Sequence, residues 1–91
     1  MRRSLQPLAG KRAGFAAQFA GVSRRGTIIL SDLRGPAGRE EYVWIPFRKW
    51  PGKMMFPGSE FRFSARVGAY RHEGGDWDFG LVDIEILEEK R

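Results

Sequence analysis

The sequence has no cysteine in its 91 residues and only one histidine, His72. Without thiols there is no disulfide to brace a small core, no thiolate metal site and no cysteine nucleophile. With one imidazole, a His-Glu-x-x-His zinc motif is excluded, and no Gly-x-x-x-x-Gly-Lys-Ser/Thr phosphate loop occurs. The longest apolar runs fall far short of the roughly 18 residues that a membrane-spanning helix needs. Met1-Arg2-Arg3 ahead of the Ala/Phe-rich residues 13–22 has the charge order of a secretory leader. Lys11, Arg12 and Gln18 interrupt it, however, and Phe15, Ala17 and Phe19 alternate as in a strand. The expectation is a cytoplasmic protein with no membrane contact and no cofactor.

What is present is enough for one domain. Hydrophobic residues make up 42% and aromatics 13%, which argues against disorder despite 30% charged residues. The net charge of +5 is strongly polarised along the chain. Residues 1–39 carry eight basic side chains against Asp32 alone, a net +7, and residues 40–71 carry a net +3. Residues 72–91 carry a net −5. A basic balance of this kind points to a polyanionic partner, and places any such surface in the first 71 residues.

Residues 1–10, basic and holding Pro7 and Gly10, read as a flexible arm. Residues 11–24 read as a long strand bent at Gly14 and Gly21, with Phe15, Ala17 and Phe19 on one face. A turn at Ser23-Arg24-Arg25-Gly26 leads to a β-branched strand from Thr27 to about Leu33. After the Gly35-Pro36-Ala37-Gly38 loop, residues 41–47 form a third strand with Val43, Ile45 and Phe47 on one side and Tyr42 and Trp44 on the other. Residues 48–58 hold two prolines and two glycines and read as an irregular basic connection. Residues 59–70 alternate over five pairs, with Phe61, Phe63, Ala65, Val67 and Ala69 inward and Arg62, Ser64, Arg66, Gly68 and Tyr70 outward. A Gly74-Gly75 hairpin returns the chain through Trp77 into Val82, Ile84 and Ile86, which fit a strand better than the competing helix over 81–90.

Five strands joined by glycine-rich corners imply an all-β fold, a small five-stranded antiparallel barrel with little or no helix; a sandwich takes about seven strands. The long glycine-bent first strand, the Gly35–Gly38 corner, Pro57-Gly58-Ser59-Glu60 leading into a regular fourth strand, and the Gly74-Gly75 hairpin together resemble the oligonucleotide/oligosaccharide-binding (OB) fold. The resemblance covers residues 11–88, with 89–91 as a charged tail. Many members of that fold carry a helix between strands three and four where this chain is broken by proline, so an SH3-like small barrel is the alternative. The resemblance implies a binding face for nucleic acid; the residues themselves lead to no expected metal site.

Three groups of residues fit that chemistry. Tyr42, Trp44 and Tyr70 offer faces on which bases stack, and Arg62, Arg66 and Arg71 neutralise phosphate beside them. Lys49, Trp50 and Lys53 interleave charge and an indole on a loop, with Met55 and Phe56 assigned to the core. Arg24 and Arg25 add phosphate contacts at a turn. Asp76 and Asp78 read as turn-forming acids and His72 with Glu73 as a surface pair. No nucleophile, base and oxyanion donors converge, so no enzyme is expected. The leading reading is largely sequence-independent binding of single-stranded DNA or RNA. The rival is a protein-interaction or homo-oligomerisation module acting through Trp50, Met54, Met55, Phe56 and Trp77.

Overall fold

The computed structural model describes residues 3–52, 54–71 and 74–90. Five antiparallel strands form a single sheet: β1 (Arg12–Val22), β2 (Thr27–Gly35), β3 (Gly38–Pro46), β4 (Glu60–Arg71) and β5 (Trp77–Lys90). Among the described residues, the helical content is two 3-10 turns, Gln6–Leu8 and Phe47–Lys49. The strand order is β3-β2-β1-β4-β5. The first four strands therefore follow the Greek-key order 4-1-2-3, with β5 returning as a hairpin partner of β4. The sheet curls so that β3 and β5 approach each other, but the ladder does not close between them.

Alternation drives this architecture. On β4, Phe61, Phe63, Ala65 and Val67 all point inward and are buried, and Phe61 stacks on Phe63 at 5.2 Å between ring centroids. Phe15 from β1 stacks on Phe63 at 5.6 Å, and Ile28, Leu30, Val43 and Ile45 complete the core from β2 and β3. Bulges bend the strands. Extra residues fall on β1 between Phe19 and Gly21, on β2 between Ser31 and Arg34, and on β5 between Val82 and Glu85 and between Ile86 and Glu88. Within these, Asp32 and Asp83 take left-handed φ angles of 49° and 50°, a region that aspartate tolerates better than most residues.

Several expectations need correction. Leu5 is only 1% exposed, and Ala9 bridges Val67 in parallel, so residues 3–10 pack on the sheet instead of forming a free arm. The apolar leucine, overlooked among the basic residues, pins that segment. Phe47 does not continue the inward row of β3, because Pro46 ends the strand and Phe47 enters a 3-10 turn, half-exposed. Ala69 is exposed, near the end of a twisting strand. Glu89 and Lys90 are part of β5 and pair with Phe61 and Glu60. No helix among the described residues is long and apolar enough to cross a membrane.

Candidate functional site

Tyr42 and Trp44 lie two residues apart on β3, so both project from the outer face, opposite the buried Val43 and Ile45. Trp44 is 52% exposed, and the two rings tilt against each other at 6.1 Å. They do not sit beside the arginines of β4 as the sequence suggests. β2 and β1 separate β3 from β4 within the sheet, and only the upper end of β4 is brought near β3, across the unclosed seam.

That seam forms a groove of about 350 Å³. Trp44, Pro46 and Thr27 supply one wall, Lys49 stands at the side, and Gly68, Tyr70, Gly80 and Val82 supply the other. The groove exists because two glycines face each other across β4 and β5, Gly68 opposite Gly80. A Cβ on Gly80 would stand 3.2 Å from Cε1 of Tyr70, and one on Gly68 would stand 3.6 Å from Val82. The missing side chain of Gly80 lets the Tyr70 ring lie over the strand. The result is an aromatic slot with a cation beside it, which suits a planar ring attached to an anionic backbone.

One end of the groove is basic. Residues 23–26 turn β1 into β2, closed by Gly26 N–H donating to the Ser23 carbonyl at 3.0 Å, with Gly26 at φ +76° where a side chain would be strained. The Phe47 N–H then donates to the Gly26 carbonyl at 3.0 Å, which ties the second 3-10 turn to this one. The turn that carries Arg24 and Arg25 is thereby linked to the turn that carries Arg48 and Lys49, of which Lys49 lines the groove. Among the described residues, none of these four cations forms an ion pair. Their charge is uncompensated locally, so a polyanion gains most from this end.

The other sequence-chosen residues are distributed differently. Arg62 lies 3.8 Å from Glu88, and Arg66 makes a tight pair with Asp83, so both compete with carboxylates of β5. Arg66 flanks the groove, since it pairs across strands with Val82; Arg62 lies farther down β4, opposite Ala16. Arg71 sits over the Trp77 ring at 5.7 Å, and its Nε donates to the Gly75 carbonyl at 3.2 Å. Trp50 is a correction: it is 8% exposed, edge-on to Phe61 at 5.7 Å, with no ring face open to a base. Met55 is buried as expected, but Phe56 is 74% exposed. Lys53, His72 and Glu73 lie outside the described residues. Asp78 is buried, and its Oδ1 accepts the Phe79 N–H at 2.8 Å. Among the described residues, no three His, Cys, Asp or Glu side chains gather as metal ligands.

Arg48 belongs to the same basic stretch as Lys49 in the sequence but is not among the residues singled out there; the 3-10 turn Phe47–Lys49 sets the two side by side. No family model, curated protein or solved structure matches the chain.

Proposed function

We propose that the protein is a single-stranded nucleic-acid-binding protein of OB-like architecture, acting without catalysis and with little sequence preference. The observation that carries this reading is the meeting of Trp44, Tyr70 and Lys49 in one groove, next to two linked turns whose Arg24, Arg25 and Arg48 form no ion pair among the described residues. Stacking on such rings contributes about 1–3 kcal/mol per base and tolerates any base. The Greek-key order with an open seam supports the OB-like part of the proposal. In that fold the face of strands two and three and the loops after strands one and four hold oligonucleotides. Here Tyr42 and Trp44 lie on the third strand, Arg24 and Arg25 in the loop after the first, and Tyr70 and Arg71 at the end of the fourth strand, where it meets the loop. A cytoplasmic location belongs to the same proposal, since a chain without cysteine needs no oxidising compartment.

The test is a titration with a short oligodeoxythymidylate, followed by tryptophan fluorescence at two salt concentrations. Quenching, an affinity that falls steeply with salt, and weakening by Trp44→Ala and Tyr70→Ala are the expected results. Binding that neither variant weakens would refute the groove assignment. A protein-interaction reading draws on the exposed Phe47, Met54 and Phe56 around the β3–β4 connection. It predicts instead a molar mass that rises with protein concentration and a titration without salt dependence.

A further inference from the structure

We infer that the outer face of β1 carries a second ligand site, a two-arginine clamp that takes the phosphate group of a phosphate ester. The register makes the clamp. Arg34 on β2 and Arg62 on β4 are both cross-strand partners of the same residue, Ala16. The two guanidinium groups therefore reach over one short side chain from opposite sides. They line a concavity of about 310 Å³ whose floor is Gly14 and Ala16 and whose rim includes Leu87. Arg34 and Arg62 also share the smaller neighbouring hollow with Lys90.

Their hydrogen-bonding capacity is unspent. Arg39 and Arg66 are locked in tight pairs with Asp32 and Asp83. Arg34 and Arg62 stand 3.6 Å and 3.8 Å from Asp32 and Glu88, beyond hydrogen-bond reach, and among the described residues neither donates elsewhere. Two planar forks with idle donors around one hollow match the geometry in which arginine holds phosphate. Among the described residues, Asp32 and Glu88 are the carboxylates nearest the two guanidinium groups and Glu60 lines the smaller hollow; together they set how strongly an anion must compete. The site does not depend on the groove: β1 is the middle strand of the sheet, two strands from either margin of the seam.

Amide and arginine Nε chemical shifts, measured during titration with inorganic phosphate, test the clamp. Saturable shifts at Gly14, Ala16, Arg34 and Arg62 are expected. Arg34→Gln and Arg62→Gln, both on exposed side chains and checked for an unchanged thermal midpoint, should each weaken binding about tenfold. Glu88→Gln should tighten it severalfold while Glu89→Gln, the same charge change on a residue that stands opposite Phe61 and not beside Arg62, leaves it unaltered. Trp44→Ala should not move the phosphate shifts, which separates this site from the groove. Titrations with a nucleoside monophosphate and with the oligodeoxythymidylate then identify the source: the tighter ligand at the same amides is either a small phosphate ester or a nucleic-acid backbone. Absence of saturable shifts, shifts spread equally over all arginines, or Glu88→Gln and Glu89→Gln acting alike would overturn the clamp.

Discussion

Replacing Trp50 and Trp44 separately with alanine divides the core from the groove. The Trp50 indole is edge-on to Phe61 and tilted against Phe19 at 6.0 Å, and Gly52 lies against its ring. Phe61 is itself stacked on Phe63, and Phe63 on Phe15, so the surrounding rings have little freedom to collapse into the space left behind. Truncating an aromatic in such a setting costs about 3–5 kcal/mol. A domain of 91 residues has a total stability of roughly 5–14 kcal/mol. Trp50→Ala therefore removes between a fifth and nearly all of it. Trp44, half in solvent, should cost about 0.5 kcal/mol. Urea denaturation followed by far-ultraviolet circular dichroism reads the difference without relying on the indoles themselves. With the m-value of a small domain, the Trp50→Ala midpoint should fall by roughly 2 M, and that of Trp44→Ala by a few tenths. If the two midpoints coincide, or if Trp50→Ala folds normally and loses oligonucleotide binding, the partition argued here is wrong.

Three further outcomes can be checked. Gly35→Ala should destabilise by about 1–3 kcal/mol, since its Cβ would stand 2.6 Å from the Phe15 ring, whereas Gly14→Ala, with open space at the Cβ, should change the thermal midpoint little. Leu5→Ala should cost about 2–5 kcal/mol by denaturant titration, because that side chain is sealed in the core despite its place near the start of the chain. Replacing Arg24 and Arg25 with glutamine should lower the slope of log affinity against log salt by roughly 1.4 for a single strand, if both contact phosphate, with no loss of fold.

The strands were legible because burial on one face imposes a period of two. Phe61, Phe63, Ala65 and Val67 announce β4, and Phe15, Ala17 and Phe19 announce β1. Adjacency was not legible. Nothing local in the sequence says that β4 pairs with β1 and leaves β3 at the margin, so the alternation alone groups Arg62 with Trp44, whereas its neighbour across Ala16 is Arg34. The connection between β3 and β4 misled for a related reason. Trp50 and Phe56 carry equally apolar rings in a stretch without periodicity, and only the three-dimensional path of the chain decides that the indole plugs the interior and the phenyl meets solvent. The glycine pair under the groove was likewise invisible, because Gly68 and Gly80 acquire their meaning only when the hairpin sets them opposite one another.

The missing rung between β3 and β5 bears on how the protein breathes. Central β1 is laddered on both sides, while the two marginal strands are each held along one side by a neighbour in the sheet. Amide exchange should therefore be slowest in β1 and fastest along the margins. A ligand gripping Trp44 and Tyr70 together would act as a clasp across the opening, and exchange on both margins should slow in concert as it fills. By mass action, saturation at a hundred times the dissociation constant adds about 2.7 kcal/mol to the cost of any opening that releases the ligand. Occupancy could then be read from the backbone alone, far from any indole.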